Sequence, residues 1–266
     1  VIGQEIAEVA DTPDDLVFEL AQEAAFAGQP LGRSILGTTA SIGTATPEAL
    51  SDWRDQLYAP DALVISAAGA VDEATLLRLA ERDFAAARPA AAAPQAPEAR
   101  FAGGQVVTAR KLEQANLVFL LPTVGVKDPD SFALRLFAEI LGGGMASRLF
   151  QEARERRGLA YAIDAYSETY ADQGVLGVFA GCAAEDAEEL AKVAAGEIAG
   201  LASSVTDGEL ARAKAQLKGS MFMGRESPLG RAEQAAAQLL LFDRLIPPVE
   251  LAQGAEGVAR ADLRRR

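Results

Sequence analysis

The chain has 266 residues, of which 50% are hydrophobic and 24% are charged, a composition typical of a folded globular protein. Its formal net charge of −13 argues against a nucleic-acid partner, because binding a polyphosphate depends on a basic surface. There is no histidine, which excludes a Ser-His-Asp triad, a Cys-His pair and a zinc site with imidazole ligands built by this chain alone.

The first residues predict two consecutive helices. Ile2, Ile6 and Val9 share one face of a helix that is already under way at the first residue. The sequence TPDD then predicts a second helix, with Thr12 as its N-cap and Pro13 in the first helical position. We expect this helix to continue to about residue 27, before a glycine, and to be followed by a loop, PLGRSILGT.

The next segments predict a helix, a strand and a helix. TPEALSDWRDQLY is a helix capped by Thr46, ALVISAAGAV at 62–71 is a buried strand, and DEATLLRLAERDF is the helix after it. A single strand has no partner for its backbone N–H and C=O groups. We therefore expect the opening strands of this half to lie upstream of Val1, which makes the chain a fragment.

A proline-interrupted alanine segment at 85–100, AAARPAAAAPQAPEAR, divides the chain. Its three prolines interrupt any helix, and no apolar stripe runs through it. The segment predicts an extended linker between two domains.

The second half predicts two strands, two helices, a β-hairpin and further helices. QVVTARKL and NLVFLLPTV are the strands, DPDSFALRLFAEILGGG and ASRLFQEARERR the helices, and Gly158 closes the second helix. LAYAIDAYSETY and VLGVFAGCAA form a hairpin around residues 172–174, and helices begin near residues 184, 206 and 228. Cys182, in the apolar run of the hairpin, is interpreted as a small buried residue.

Several of these stretches together resemble one family of enzymes. They are VIGQEIAEVADTPDDLVFELAQEAAF, PLGRSILGT, VISAAGAVDEATLLRLAERDF, EQANLVFLLPTVGVKDPDSFALRLFAEILGGGMASRLFQEARERRGLAYAIDAYSE and LKGSMFMGRES. In collinear order over nearly the whole chain, they resemble the M16 zinc metallopeptidases, the pitrilysin and mitochondrial processing peptidase family, in its bacterial branch. An unrelated α/β binding module would require these long motifs to be coincidental.

The resemblance implies an α+β fold of two similar halves, each an antiparallel sheet with helices packed on one side, as in the LuxS and processing-peptidase-like metallohydrolases. Residues 1–88 are then the remainder of the metal-binding N-terminal domain, whose first part is incomplete. Residues 89–102 are the linker, and 103–266 are the C-terminal domain.

The resemblance also implies a zinc site to which this chain contributes one residue. In the family, an H-x-x-E-H motif supplies two histidine ligands and a general-base glutamate, and a later helix supplies a third ligand. That third ligand matches Glu5 within VIGQEI. Nothing here matches the two histidines or the base, so Zn²⁺ is expected in the full-length parent and not in this chain. Without the resemblance, Glu5 would be interpreted as a solvated helix residue.

Arg154 and Tyr161, in ARERRGLAY, match the family residues that reach the active site from the C-terminal half. There the arginine holds the substrate backbone, and the tyrosine donates a hydrogen bond to the developing oxyanion. From the residues alone, the same pair is a charged helix end and a half-buried strand tyrosine. Arg156 and Arg157 are interpreted as cations stabilised at a helix C-terminus.

Two functions follow from the resemblance. The parent is a zinc-dependent endopeptidase that cleaves unstructured peptides, or the chain is a non-catalytic subunit that supplies the Arg/Tyr pair to a partner. Either form implies a homodimer or heterodimer with another M16-type chain, no nucleic acid and no membrane span. A bacterial cytoplasmic location is expected, and a periplasmic one stays open.

Overall fold

The computed structural model describes residues 1–58, 62–84 and 97–264, which form two compact units. The first unit combines residues 1–38, 98–218 and the segment from Val249 onward; the second combines 39–97 with 219–248, so far as these are described. The predicted linker at 89–102 lies outside the described residues over 89–96. The division into domains at 1–88 and 103–266 stays a prediction.

The described residues form three strands and a larger number of helices. The strands are β1 (Ala115–Thr123), β2 (Ala162–Thr169) and β3 (Gly174–Cys182). The α-helices are α1 (Ile2–Asp11), α2 (Pro13–Ala25), α3 (Thr39–Gly43), α4 (Pro47–Leu57), α5 (Glu73–Phe84), α6 (Ser131–Gly142), α7 (Ala187–Ser204), α8 (Asp207–Met223), α9 (Pro228–Phe242), α10 (Pro248–Gly257) and α11 (Arg260–Leu263). A π-helical segment spans Phe150–Arg156, and short 3₁₀ turns span Pro30–Gly32 and Ala184–Asp186.

The first unit is built on an antiparallel sheet in the order β1-β3-β2. The predicted hairpin of β2 and β3 is confirmed, with Ala165 opposite Val178 and a turn in which the Tyr170 amide donates to the Gln173 carbonyl. β3 is the central strand, and eight of its nine residues are buried. A nearly continuous apolar run is what a strand covered on both faces requires. The sheet with its helices confirms the predicted α+β class.

Helices cover both faces of this sheet. A Cβ on Gly142, at the end of α6, would lie 2.6 Å from the Ala165 side chain, so α6 packs on the face to which Ala165 points. Successive side chains of a strand point to opposite faces, and the ring of Tyr166 meets Phe18 of α2, with 5.9 Å between the ring centroids. α2 thus anchors the N-terminal segment to the sheet, against the hairpin of β2 and β3.

Two of the predicted strands are wrong within the described residues. The segments 62–71 and 105–112 form no ladder, and side chains such as Leu63, Ile65 and Val107 are exposed. The segment before β1 is instead attached to the end of α2, where the Ala102 amide donates to the Ala25 carbonyl at 2.7 Å. An apolar β-branched pattern favours extended backbone, but a strand also needs a neighbour to accept its hydrogen bonds.

The second unit contains α3, α4, α5 and α9, and two of its helices begin as their sequences predict. The Thr46 hydroxyl accepts a hydrogen bond from the Ala49 amide at the start of α4. The Asp72 carboxylate accepts one from the Thr75 amide before α5. In the first unit, Thr12 is the N-cap residue of α2 and Pro13 opens the helix, as predicted. The Thr12 hydroxyl does not cap this helix, because it donates back to the Glu8 carbonyl at 2.8 Å.

In the described ranges, none of the helices combines the length and the apolar character that crossing a bilayer requires.

Candidate functional site

Glu5 lies in the first turn of α1 and its side chain is exposed. Ile6 and Val9 of this helix are half-buried, and the helix contacts α2. A carboxylate in a first turn is stabilised by the free backbone N–H groups there. Among the described residues, Glu5 makes no side-chain hydrogen bond or ion pair, so its oxygens are available to an outside ligand.

Arg154 lies on the helix predicted before Gly158, and this helix is wound as a π-helix over Phe150–Arg156. The Leu159 amide donates to the Ala153 carbonyl at 2.8 Å, and Gly158 adopts φ = 65°. A positive φ is readily available to glycine and costs other residues conformational strain, so the predicted C-terminal turn is confirmed. The π-helical winding, which is frequent at functional sites, had no signal in the sequence.

The three arginines at the end of this helix have different partners. Arg156 and Arg157 both donate to the Glu152 carboxylate at 2.9 Å, and Arg157 also reaches Glu189 at 3.3 Å. The guanidinium groups of Arg157 and Arg156 hold the pKa of Glu152 below its usual range. Arg154 has no carboxylate partner among the described residues, and its guanidinium carbon lies over an aromatic ring. Arg156 and Arg157 are thus structural, whereas the N–H groups of Arg154 have no hydrogen-bond acceptor among the described residues.

Tyr161 stands immediately before β2, three residues after the Gly158 turn. Its amide donates to the Gly181 carbonyl at 2.8 Å, which fixes its backbone against β3. Its side chain is 58% exposed, and the hydroxyl has no hydrogen-bond partner within the described ranges. The backbone is held while the phenol is free to donate.

All three predicted site residues lie in the first compact unit. Arg154 and Tyr161 flank one turn, and Glu5 comes from a separate helix. In the part of the chain that the structure describes, no hydrogen bond or ion pair joins any two of them.

The residues of this chain do not fit a catalytic zinc site. Such a site takes three protein ligands, often two imidazoles and a carboxylate, and the chain has no histidine. The described residues also contain no group of three carboxylate or thiol ligands that could hold a metal ion. A complete zinc site would therefore require ligands from outside these 266 residues, and the assignment of Glu5 as one of the ligands stays a prediction.

The glycine triplet at 142–144 is explained by packing. A Cβ on Gly142 would lie 2.2 Å from the backbone nitrogen of Ala165, and one on Gly143 would lie 2.4 Å from the Glu139 carboxyl carbon. Gly144 adopts φ = 128°. The triplet thus lets α6 approach β2 and then turns the chain.

Gly142→Ala is expected to lower the free energy of unfolding by about 2 kcal/mol, because the added methyl group meets backbone that cannot rotate away. Urea unfolding of the purified protein measures this. The matched control is Gly196→Ala in α7, where nothing lies within 4 Å of the added Cβ, and where a gain of up to about 1 kcal/mol is expected from helix propensity. Equal stability of the two variants would contradict the packing argument.

Two contacts near the site were not predicted from the sequence. The Arg154 guanidinium carbon lies 4.8 Å from the centroid of the Phe150 ring, and the four-residue spacing of the two was the available signal. Arg148 donates to both oxygens of Glu209 at 2.7 and 3.0 Å. Of these two residues, only Glu209 belongs to a recognisable sequence pattern, the T-x-x-E of a capping box that begins at Thr206. Nothing in the sequence around Arg148 indicates its partner.

Comparison with known proteins identifies relatives in sequence. Residues 44–217 match the family model described as the Peptidase M16 inactive domain. An uncharacterized zinc protease of Rickettsia felis is 35% identical over 252 residues, covering 94% of this chain and 61% of the relative. One of Streptomyces coelicolor is 35% identical over 260 residues, covering 92% of this chain and 57% of the relative. The chain thus spans about three fifths of the length of these relatives.

Solved structures share the fold. A chain of complex III2 from Candida albicans, with Inz-5 bound, superposes with a TM-score of 0.87 at 18% identity, covering 99% of this chain and 65% of that one. A protease from Helicobacter pylori superposes with a TM-score of 0.85 at 20% identity, covering 98% of this chain and 66% of that one. At these identities the likeness establishes the fold, and it confirms the predicted processing-peptidase-like architecture.

Proposed function

Because this chain belongs to the M16 peptidase family, we propose that the whole protein is a zinc-dependent endopeptidase of unstructured peptides, in which these residues bind and polarise the substrate. The observation that carries the proposal is the pair of exposed donors beside Gly158. Within the described ranges, Arg154 has no carboxylate partner and the Tyr161 hydroxyl has no hydrogen-bond partner. The relatives that are named zinc proteases support the reaction class.

Each of these residues has a defined task in the proposal. The Arg154 guanidinium donates to backbone carbonyl groups of the substrate and holds the peptide in place. The Tyr161 hydroxyl donates to the carbonyl oxygen that becomes negatively charged, which lowers the barrier because the interaction strengthens in the transition state. Glu5 supplies one carboxylate to a zinc site whose imidazole ligands lie outside these 266 residues.

A second candidate is a non-catalytic subunit of a two-chain M16 peptidase, in a homodimer or a heterodimer. The match of residues 44–217 to a model described as an inactive domain favours it. In this form the same Arg154 and Tyr161 bind the peptide, and the partner chain supplies the metal ligands.

The test is peptide cleavage by the whole protein, using an internally quenched peptide of unstructured sequence. Cleavage that a chelator abolishes and zinc restores is expected for the endopeptidase. Cleavage only after addition of a second M16-type chain identifies the partner subunit. The 266-residue chain alone serves as the control; it is expected to bind no stoichiometric zinc and to cleave nothing. Absence of cleavage under every condition contradicts both forms.

A further inference from the structure

Arg154 is the one arginine at the end of its helix that contacts an aromatic ring instead of an acid, as far as the described residues show. Its guanidinium carbon is 4.8 Å from the centroid of Phe150, within the range of a cation–π contact. Phe150 is half-buried and Arg154 is exposed, so the ring is a fixed surface on which the charged group rests.

Glu152, an acid of the same helix, already has two arginine partners. Glu152 accepts hydrogen bonds from Arg156 and Arg157, both at 2.9 Å. A carboxylate that paired with Arg154 would take up two N–H groups of its fork. An aromatic ring attracts the face of the guanidinium and leaves the N–H groups along its edge free.

We propose that Phe150 is a positioning residue for Arg154: its ring holds the guanidinium plane in place with the N–H donors directed to a peptide carbonyl. This inference rests on the proposed function of Arg154 in substrate binding. An unrestrained arginine side chain loses considerable rotamer freedom when it binds a ligand. Because Phe150 already restricts the Arg154 side chain in the free protein, less conformational entropy is lost when the substrate binds. Phe150 itself need not touch the substrate.

The kinetic test compares Phe150→Leu with Phe150→Tyr in the whole protein, using the internally quenched peptide. Leucine keeps an apolar side chain and removes the ring, and it is expected to raise KM roughly threefold with little change in kcat. Tyrosine keeps the ring and should restore KM to within experimental error of the wild type. Phe222→Leu, at a phenylalanine that is 51% exposed on α8, is the matched control and should leave KM unchanged.

A double-mutant cycle separates positioning from general stability. In an Arg154→Gln background, Phe150→Leu should have no further effect on KM, because the group that the ring positions is gone. An equal effect of Phe150→Leu in both backgrounds would show that the ring only supports the fold and would overturn the proposal. Failure of Phe150→Tyr to restore KM would do the same.

An NMR measurement gives a readout that does not depend on cleavage. The Nε–H resonance of Arg154, identified by its loss in Arg154→Gln, should be displaced by the ring current in the wild type and in Phe150→Tyr. In Phe150→Leu it should move to the position of a free arginine. If Arg154→Gln leaves KM unchanged while this shift is present, the proposed function of Arg154 fails and its ordering by Phe150 stands. An Arg154 resonance that Phe150→Leu does not move overturns the inference itself.

Discussion

Tyr161→Phe is expected to lower the kcat of peptide cleavage by the whole protein roughly a hundredfold, with KM close to the wild-type value. The substitution removes a single hydroxyl, the donor that the proposed function directs at the developing oxyanion. A hundredfold loss corresponds to about 2.7 kcal/mol of transition-state stabilisation, which is within the range of one lost oxyanion donor. Steady-state cleavage of the internally quenched peptide measures it.

The fold should not change in this variant. The Tyr161 side chain is 58% exposed, and its position is fixed by the amide hydrogen bond to Gly181. Surface substitutions of this kind change stability by about 0.5 kcal/mol or less. Tyr58→Phe, at a tyrosine that is 72% exposed, is the matched control and should keep full activity. A Tyr161→Phe enzyme with wild-type kcat would exclude the hydroxyl from the reaction.

Local signals in the sequence predicted most helices and the hairpin of this fold. The Thr46-Pro start of α4 is confirmed because its cap requires atoms only three residues apart. The hairpin is confirmed because β2 and β3 follow one another and carry complementary patterns. The strands predicted at 62–71 and 105–112 are wrong because pairing depends on a neighbour, which a local pattern does not reveal.

The same limit applies to the candidate site. The family motif indicated Arg154, Tyr161 and Glu5, and the structure adds why, among the described residues, Arg154 lacks the acid partners that Arg156 and Arg157 have. That difference depends on the ion pairs of Glu152 and on the ring of Phe150. Both depend on the winding of the helix, and a π-helix changes which side chains meet.

Glu209→Gln is expected to destabilise the protein by about 3 kcal/mol near neutral pH. Glu209 accepts two hydrogen bonds from Arg148, and both side chains are only 17% exposed. The same guanidinium reaches Ser204 at 2.7 Å and lies 3.9 Å from Glu197. Removing the charge of Glu209 leaves a partly buried cation without its main partner, and breaking such a pair costs several kcal/mol.

The expected effect depends on pH in a defined direction. The hydrogen bond from Arg148 is the largest cause that lowers the pKa of Glu209 from 4.5 to about 2. Because the folded-state pKa is lowered, this stability is fully present above the unfolded pKa and is lost as the pH falls through the folded pKa. A shift of that size corresponds to about 3 kcal/mol. The difference between wild type and variant should therefore be constant near pH 7 and shrink from about pH 5 toward pH 2.

The Glu209→Gln substitution removes the negative charge of the side chain but keeps an oxygen that can cap the start of α8. Glu209 also accepts a hydrogen bond from the Thr206 amide at 2.8 Å, and a glutamine oxygen can accept it as well. The loss of stability then reports on the pair with Arg148 and not on the start of α8.

Urea unfolding at several pH values measures this loss. The control is Glu188→Gln, because the side chains of Glu188 and its partner Lys192 are 83% and 71% exposed. That pair should contribute less than about 1 kcal/mol. If both variants cost the same near pH 7, or if the Glu209→Gln loss is unchanged in acid, the pair of Arg148 with Glu209 does not stabilise the fold as argued.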